Sequence, residues 1–104
     1  MAKHTINFST FGDTEIDVAH GDQLTFINDI GDTTQLTTPS WQDLYFILAI
    51  LPSGQNLNVK PATMVAGSAE LYSVTAPKGK VIQIEWLDIP VPRAARSGRI
   101  RVTS

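Results

Sequence analysis

Val81-Ile-Gln-Ile-Glu-Trp-Leu-Asp88 and the later stretch Arg96-Ser-Gly-Arg-Ile-Arg-Val102 decide the fold of this 104-residue chain. Apolar residues recur at every second position, at 82, 84 and 86 and again at 100 and 102. Successive side chains of a β-strand point to opposite faces, so each stretch can lay one face on a core and turn the other to water. The two stretches therefore predict strands joined by a loop.

Short runs of the same alternating kind precede these two strands. The other predicted strands are Ile6 to Phe8, Ile16 to Val18, Leu24 to Ile27, Thr33 to Thr38, Leu57 to Lys60 and Glu70 to Thr75. The segments 20–22 and 28–32 are rich in Asn, Asp and Gly, which tolerate the backbone angles of tight turns. Runs this short at this spacing predict an all-β sandwich or barrel.

The segment 40–52 departs from the pattern. Ser40 and Asp43 resemble a helix start, because a serine oxygen can accept an early backbone N–H and an acid suits the positive helix end. Residues 44–51 are apolar throughout, so periodicity does not separate a helix from a buried strand. We expect a short helical or irregular insertion around residues 40–52, with a buried strand as the alternative.

A helix in this segment would not bury every side chain beneath one sheet. The stretch can simply cap the core, or part of it can face a second copy of the chain. For the second case, the predicted interface residues of a homo-oligomer are Trp41, Leu44, Tyr45 and Leu48.

Composition limits the chemistry. At this length, residues 1–104 form one domain, which can bury an ordinary core without covalent staples. The chain has no cysteine, which excludes zinc–thiolate, iron–sulfur and thiolate–copper sites. Its net charge is −2, with acids concentrated in the first half and basic residues in the second. Four arginines near one end fall short of a nucleic-acid surface, so we expect no nucleic acid as partner.

Targeting signals are also lacking in this sequence. It has neither a basic start followed by a long apolar stretch nor an apolar run near the roughly 20 residues that span a membrane. We therefore expect a soluble chain with no membrane partner, cytoplasmic unless a leader was removed.

No complete catalytic or metal-binding constellation stands out. His4 and His20 are the only histidines, whereas a metal site needs several converging ligands. The acids at 13, 15 and 17 alternate and would share one wet strand face, without a calcium-binding loop. No serine has the flanking glycines of a nucleophile elbow, and no Gly-rich loop is placed to bind phosphates. We expect no enzyme; a small hydrolase or metal enzyme using Asp29 with Asp32 or Asp88 is the alternative.

A family resemblance covers most of the chain outside residues 39–56. The order Ile16-Asp-Val18, Gly21-Asp22, Leu24-Thr-Phe26-Ile27-Asn28, Tyr72-Ser-Val74-Thr75, Lys78-Gly79, Ile84-Glu-Trp86-Leu-Asp88-Ile-Pro90 and Gly98-Arg-Ile100-Arg-Val102 resembles a cupredoxin, a plastocyanin-like protein. The resemblance implies a Greek-key β-sandwich. It would also suggest a periplasmic location.

The same resemblance implies where copper ligands would lie, and the residues there are of the wrong type. In cupredoxins, two histidines, a cysteine and a methionine hold the metal; here these positions fall near Thr34, Asp88, Val91 and Arg96. Blue copper needs a thiolate, two imidazoles and a weak axial ligand, which these side chains do not supply. We therefore expect neither a copper cofactor nor electron transfer.

The function predicted from these residues is a metal-free module for binding or assembly. Its partner site would be the end where copper sits in the family, formed by Thr34, Asp88, Val91, Arg93 and Arg96. A guanidinium group donates two parallel N–H hydrogen bonds to a carboxylate or a phosphate, so the predicted partner is a protein or a small anionic ligand. The alternatives are arginines that only solubilise the loop and a structural subunit that assembles through residues 41–51.

Overall fold

A computed structural model describes residues 2–88 and 96–104. Nine strands and one 3₁₀ turn lie in this part of the chain: β1 (Lys3–Asn7), β2 (Glu15–Val18), β3 (Gln23–Ile27), β4 (Thr34–Thr37), the turn Trp41–Asp43, β5 (Leu44–Ile50), β6 (Asn56–Leu57), β7 (Ala69–Val74), β8 (Val81–Asp88) and β9 (Arg96–Val102). The all-β class is confirmed. In these residues, no helix has the length and apolar character needed to cross a membrane.

The strands form two mixed sheets. One sheet has five strands in the order β1-β3-β7-β5-β6, and the other has four in the order β2-β9-β8-β4. The pairs β1–β3 and β2–β9 are parallel, and the remaining neighbours are antiparallel. Both sheets contribute side chains to one apolar core. This arrangement is compatible with a β-sandwich.

The core follows the alternation predicted for β8 and β9. Ile82, Ile84 and Trp86 are buried, and so are the apolar residues at 100 and 102, whereas their polar neighbours are exposed. Trp86 stacks on Phe8, with ring centroids 5.1 Å apart and planes 10° apart. Phe8 follows β1 of the five-stranded sheet, so this stack joins the two sheets. Truncating such a buried aromatic side chain typically costs about 3–5 kcal/mol.

The predicted helix within residues 40–52 is wrong, and the strand alternative describes most of the segment. Only Trp41–Asp43 forms a single 3₁₀ turn, and Ser40 makes no side-chain cap. Residues 44–50 form β5, which pairs with β7 on one side and β6 on the other. Pairing on both sides satisfies the backbone N–H and C=O groups of this apolar run. Its β-branched and aromatic residues also suit a strand better than a helix.

Close packing between Phe11 and Gly98 fixes the turn before β2. A Cβ atom built on Gly98 would lie 2.3 Å from Cε2 of Phe11, so only glycine leaves room for the ring. Phe11 is buried and also packs against Trp86, with centroids 6.3 Å apart. The contact holds the segment Phe11–Thr14 beside the start of β9.

Candidate functional site

Asn28 organises the loops at one end of the molecule. This side chain is fully buried, and its Nδ2 donates to the carbonyl oxygens of Asp32 at 2.9 Å and Met64 at 2.8 Å. Its backbone N–H donates to Ser68, and its carbonyl accepts from Gly67. One asparagine therefore ties the β3–β4 loop to the segment before β7, and this end of the sheets is pre-formed.

Two of the predicted site residues meet at this end. Thr34 on β4 lies directly opposite Asp88 on β8. Thr34 is fully buried: its hydroxyl donates to the carbonyl of Asp32 at 3.1 Å, and its backbone exchanges two hydrogen bonds with Met64. Asp88 remains partly exposed. Thr34 thus has a structural role beside the site, whereas Asp88 is accessible to a ligand.

Arg96 lies on the first position of β9, opposite Trp86, and is exposed. It lines a cleft of about 290 Å³ whose other described residues are Ser9, Thr10, Gly12, Asp13 and Ser97. A Cβ atom built on Gly12 would lie 3.7 Å from Cδ of Arg96, so the arginine stem runs across the glycine. Three hydroxyl groups and a guanidinium therefore line the same cleft.

A second cleft of about 350 Å³ adjoins the first and shares Asp13 and Ser97 with it. It is also lined by Thr14, Glu15, Gly98 and Arg99. Asp13 adopts a left-handed conformation, with φ 57°, and its N–H donates to the carbonyl of Ser97 at 2.8 Å. A non-glycine residue in this region carries strain, which often accompanies functional sites.

Ser9 connects this cleft to the β3–β4 loop. Its N–H and hydroxyl both donate to the carboxylate of Asp29, at 2.8 and 2.6 Å. Burial raises the pKa of Asp29, but the two Ser9 hydrogen bonds outweigh it, and the pKa lies below its usual value. The Asp29 carboxylate is therefore ionised, and it already accepts two hydrogen bonds from Ser9 in the folded chain.

Two other predicted site residues, Val91 and Arg93, lie within residues 89–95 and outside the described residues. The sequence predictions did not include Ser9, Asp13 or Ser97 as site residues. These residues meet because β2 pairs in parallel with β9, which sets the turn before β2 against Ser97. That pairing joins opposite ends of the chain and leaves no local sequence signal.

The four predicted interface residues have different surroundings. Leu44 is buried, and Trp41 stacks on Tyr72 with centroids 5.8 Å apart, so both pack against the core of their own chain. Tyr45 is 66% exposed, and Leu48 is partly exposed. Trp41 is also partly exposed, but it lies in the 3₁₀ turn, so Tyr45 and Leu48 are the two that lie at the surface of β5 itself.

Both histidines form hydrogen bonds within the fold. Nδ1 of His20 lies 2.9 Å from the carbonyl of Ala76, and Nε2 of His4 lies 2.9 Å from Asp22. The carboxylate of Asp22 also accepts the N–H groups of Ala19 and Ala2 at 2.9 Å. The Ala19 bond, then those of His4 and Ala2, hold the pKa of Asp22 well below its usual 3.8.

The acids at 13, 15 and 17 do not share one strand face, because β2 begins at Glu15 and Asp13 lies in the preceding turn. Arg101 lies 2.9 Å from a Glu15 oxygen and 3.0 Å from an Asp17 oxygen. Across residues 2–88 and 96–104, no three His, Asp or Glu side chains cluster in a way that could hold a metal ion.

Comparison with known proteins gives no relative: no family model, no curated protein and no solved structure matches this chain.

Proposed function

We propose that this chain is a metal-free, cupredoxin-like Greek-key β-sandwich that binds an anionic group at the end carrying Asp88 and Arg96. In this proposal it is neither an electron carrier nor an enzyme. Arg93 would act with Arg96 as a second guanidinium.

Strand connectivity supports the fold half of the proposal. In the sheet order β2-β9-β8-β4, the pairs β2–β9 and β8–β4 join strands that are distant in sequence, as some neighbouring strands of Greek-key sandwiches are. The pairing of Thr34 with Asp88 brings two of the four copper-ligand positions implied by the resemblance side by side. The side chains at these four positions include no thiolate, imidazole or thioether. They do not fit blue copper.

The observation that carries the binding proposal is the surroundings of Arg96. The exposed Arg96 lines a cleft together with Ser9, Thr10 and Ser97. Because the Ser9 hydroxyl already donates to Asp29, the donors available to a ligand are the Arg96 guanidinium and the hydroxyls of Thr10 and Ser97. Guanidinium and hydroxyl donors suit a carboxylate or a phosphate. Asp13 at the junction of the two clefts would repel a highly charged anion, so the proposal favours a ligand with a single anionic group.

The test is a titration of labelled protein with acetate and, separately, with inorganic phosphate, followed by amide NMR shifts. In the wild type we expect saturable shifts at Ser9, Thr10 and Ser97. In Arg96→Ala we expect the affinity obtained from these shifts to be more than tenfold weaker. Arg101→Ala is the matched control, because Arg101 lies on the same strand but pairs with Glu15 and Asp17. Equal responses in the two variants, or none in the wild type, would contradict the proposal.

A second candidate function is assembly of identical chains through the outer face of β5. Tyr45 is 66% exposed, and Leu48 lies opposite Leu71 on β7, so apolar side chains adjoin on this face. Light scattering after size exclusion would test it. A dimer that Tyr45→Lys dissociates supports assembly, whereas a monomer at millimolar concentration argues against it.

A further inference from the structure

Lys60 lies against two stacked aromatic rings away from the arginine cleft. Its Nζ lies 2.9 Å from the ring centroid of Trp41 and 5.7 Å from that of Tyr72. The rings of Trp41 and Tyr72 stack 5.8 Å apart with planes at 28°. The negative face of an aromatic ring attracts a cation, and tryptophan does so most strongly. The two rings therefore form two walls of a cation box.

Glu70 supplies the charge of this box. Glu70 and Tyr72 are both 1% exposed and lie two residues apart on β7, so they share its inward face. The Tyr72 hydroxyl donates to Oε1 of Glu70 at 2.7 Å. Oε2 is buried and has no hydrogen-bond partner among the described residues. A buried carboxylate oxygen without a donor is costly, so this atom favours a group that can donate to it.

Lys60 fills the box only in part. Among the described residues, no ion pair of 4.0 Å or less includes Lys60 or Glu70. Burial lowers the pKa of Lys60, and the Glu70 charge raises it less. Lys60 lies in the irregular segment between β6 and β7, next to Val59, which is 75% exposed. Because Lys60 lies outside both sheets, its side chain can leave the box without breaking a strand pairing.

We propose that Trp41, Tyr72 and Glu70 form a binding site for a primary alkylammonium group, which Lys60 occupies within its own chain. A ligand ammonium displaces Lys60, lies against the Trp41 ring and, because it is not tethered to the backbone, moves closer to Glu70 than Lys60 does and donates to Oε2. The site is separate from the arginine cleft and takes the opposite charge, so neither proposal depends on the other.

The test removes the Lys60 side chain by mutation and supplies an alkylammonium group as a free molecule. Lys60→Ala lacks three side-chain carbons and the ammonium, which are the heavy atoms that n-propylammonium supplies. We expect n-propylammonium chloride to change Trp41 fluorescence saturably and raise the melting temperature of Lys60→Ala, with binding at least tenfold tighter than to the wild type. At equal concentration, 1-propanol matches the size without the charge and should have no such effect.

Three further variants make the result decisive. Adding Glu70→Gln to Lys60→Ala should weaken n-propylammonium binding at least fivefold, whereas adding Arg96→Ala should leave it unchanged. Lys60→Ser also removes the long side chain and its charge, and it serves if Lys60→Ala does not fold. The proposal is overturned if neither Lys60 variant binds n-propylammonium, if 1-propanol acts equally well, or if the Glu70 change has no effect.

Discussion

Thr34 on β4 lies directly opposite Asp88 on β8, although the two residues are far apart in sequence. Directly opposed residues of an antiparallel pair have Cβ atoms roughly 4.5–5.5 Å apart, close enough for two side chains to hold one metal ion. We therefore predict that Thr34→His combined with Asp88→Cys creates a metal site. Cobalt(II) is the probe, because it gives a thiolate charge-transfer band without oxidising the cysteine.

The expected result is saturable cobalt binding by the double variant with a near-ultraviolet thiolate band. Each single variant serves as the control and should bind at least tenfold more weakly. Equal binding by the Asp88→Cys single variant would mean that position 34 does not contribute, which would contradict the proposed correspondence with copper-ligand positions.

Gly98 is predicted to be intolerant of even one added methyl group. In Gly98→Ala the new Cβ would lie 2.3 Å from the Phe11 ring, which is itself packed against Trp86. Overpacking of this kind typically costs about 1–3 kcal/mol, measured as the free energy of unfolding in urea. Gly12→Ala is the control: its Cβ would lie 3.7 Å from Arg96, an ordinary contact, so we expect a change within about 0.5 kcal/mol. Similar losses in both variants would contradict the steric explanation.

Asp22 is predicted to make the fold sensitive to acid. Its pKa in the folded chain lies well below the usual 3.8, so the unfolded chain binds the proton more tightly. The stabilisation is therefore present above pH 3.8 and is lost as the pH falls below it. Asp22→Asn should lower the melting temperature at pH 7 and flatten the acid limb of the stability profile. Asp32→Asn is the comparison; an equally flattened limb there would rule out a specific role for Asp22.

Glu70 is predicted to have the opposite effect on the pH dependence of stability. Burial raises its pKa above the usual 4.5, although the Tyr72 hydrogen bond and the Lys60 charge oppose this. The folded chain therefore holds the proton more tightly, and stability falls as the pH rises above 4.5. Melting temperatures from pH 4 to 8 should fall more for the wild type than for Glu70→Gln. Parallel profiles would show that Glu70 keeps the same proton affinity in both states.

Local patterns were sufficient for the strands whose two faces differ. In β8 and β9 buried residues alternate with exposed ones, in β7 they alternate with partly buried ones, and the predicted strands match in position. β5 shows no period of two in its sequence, because this strand is apolar on both faces. A register shift between Phe46 and Leu48 further disturbs its alternation.

The candidate site was predicted only in part. Thr34 and Asp88, both predicted as site residues, lie opposite each other, but Asp13 and Ser97 meet through a pairing that spans nearly the whole chain. The contact of Lys60 with Trp41 likewise joins a loop to a turn that the sequence predicted as a helix start. Neither contact has a local signature, since both depend on how distant segments come together.

The parallel pairing of β2 with β9 also has a consequence for how the chain is made. The four-stranded sheet places its first strand in sequence, β2, against its last, β9. Until residues 96–102 emerge from the ribosome, β2 has no partner strand and β8 is paired only with β4. Contacts between such distant segments slow folding, and unpaired strand edges promote aggregation while they wait. During synthesis the incomplete sheet therefore exposes strand edges that can pair with another chain.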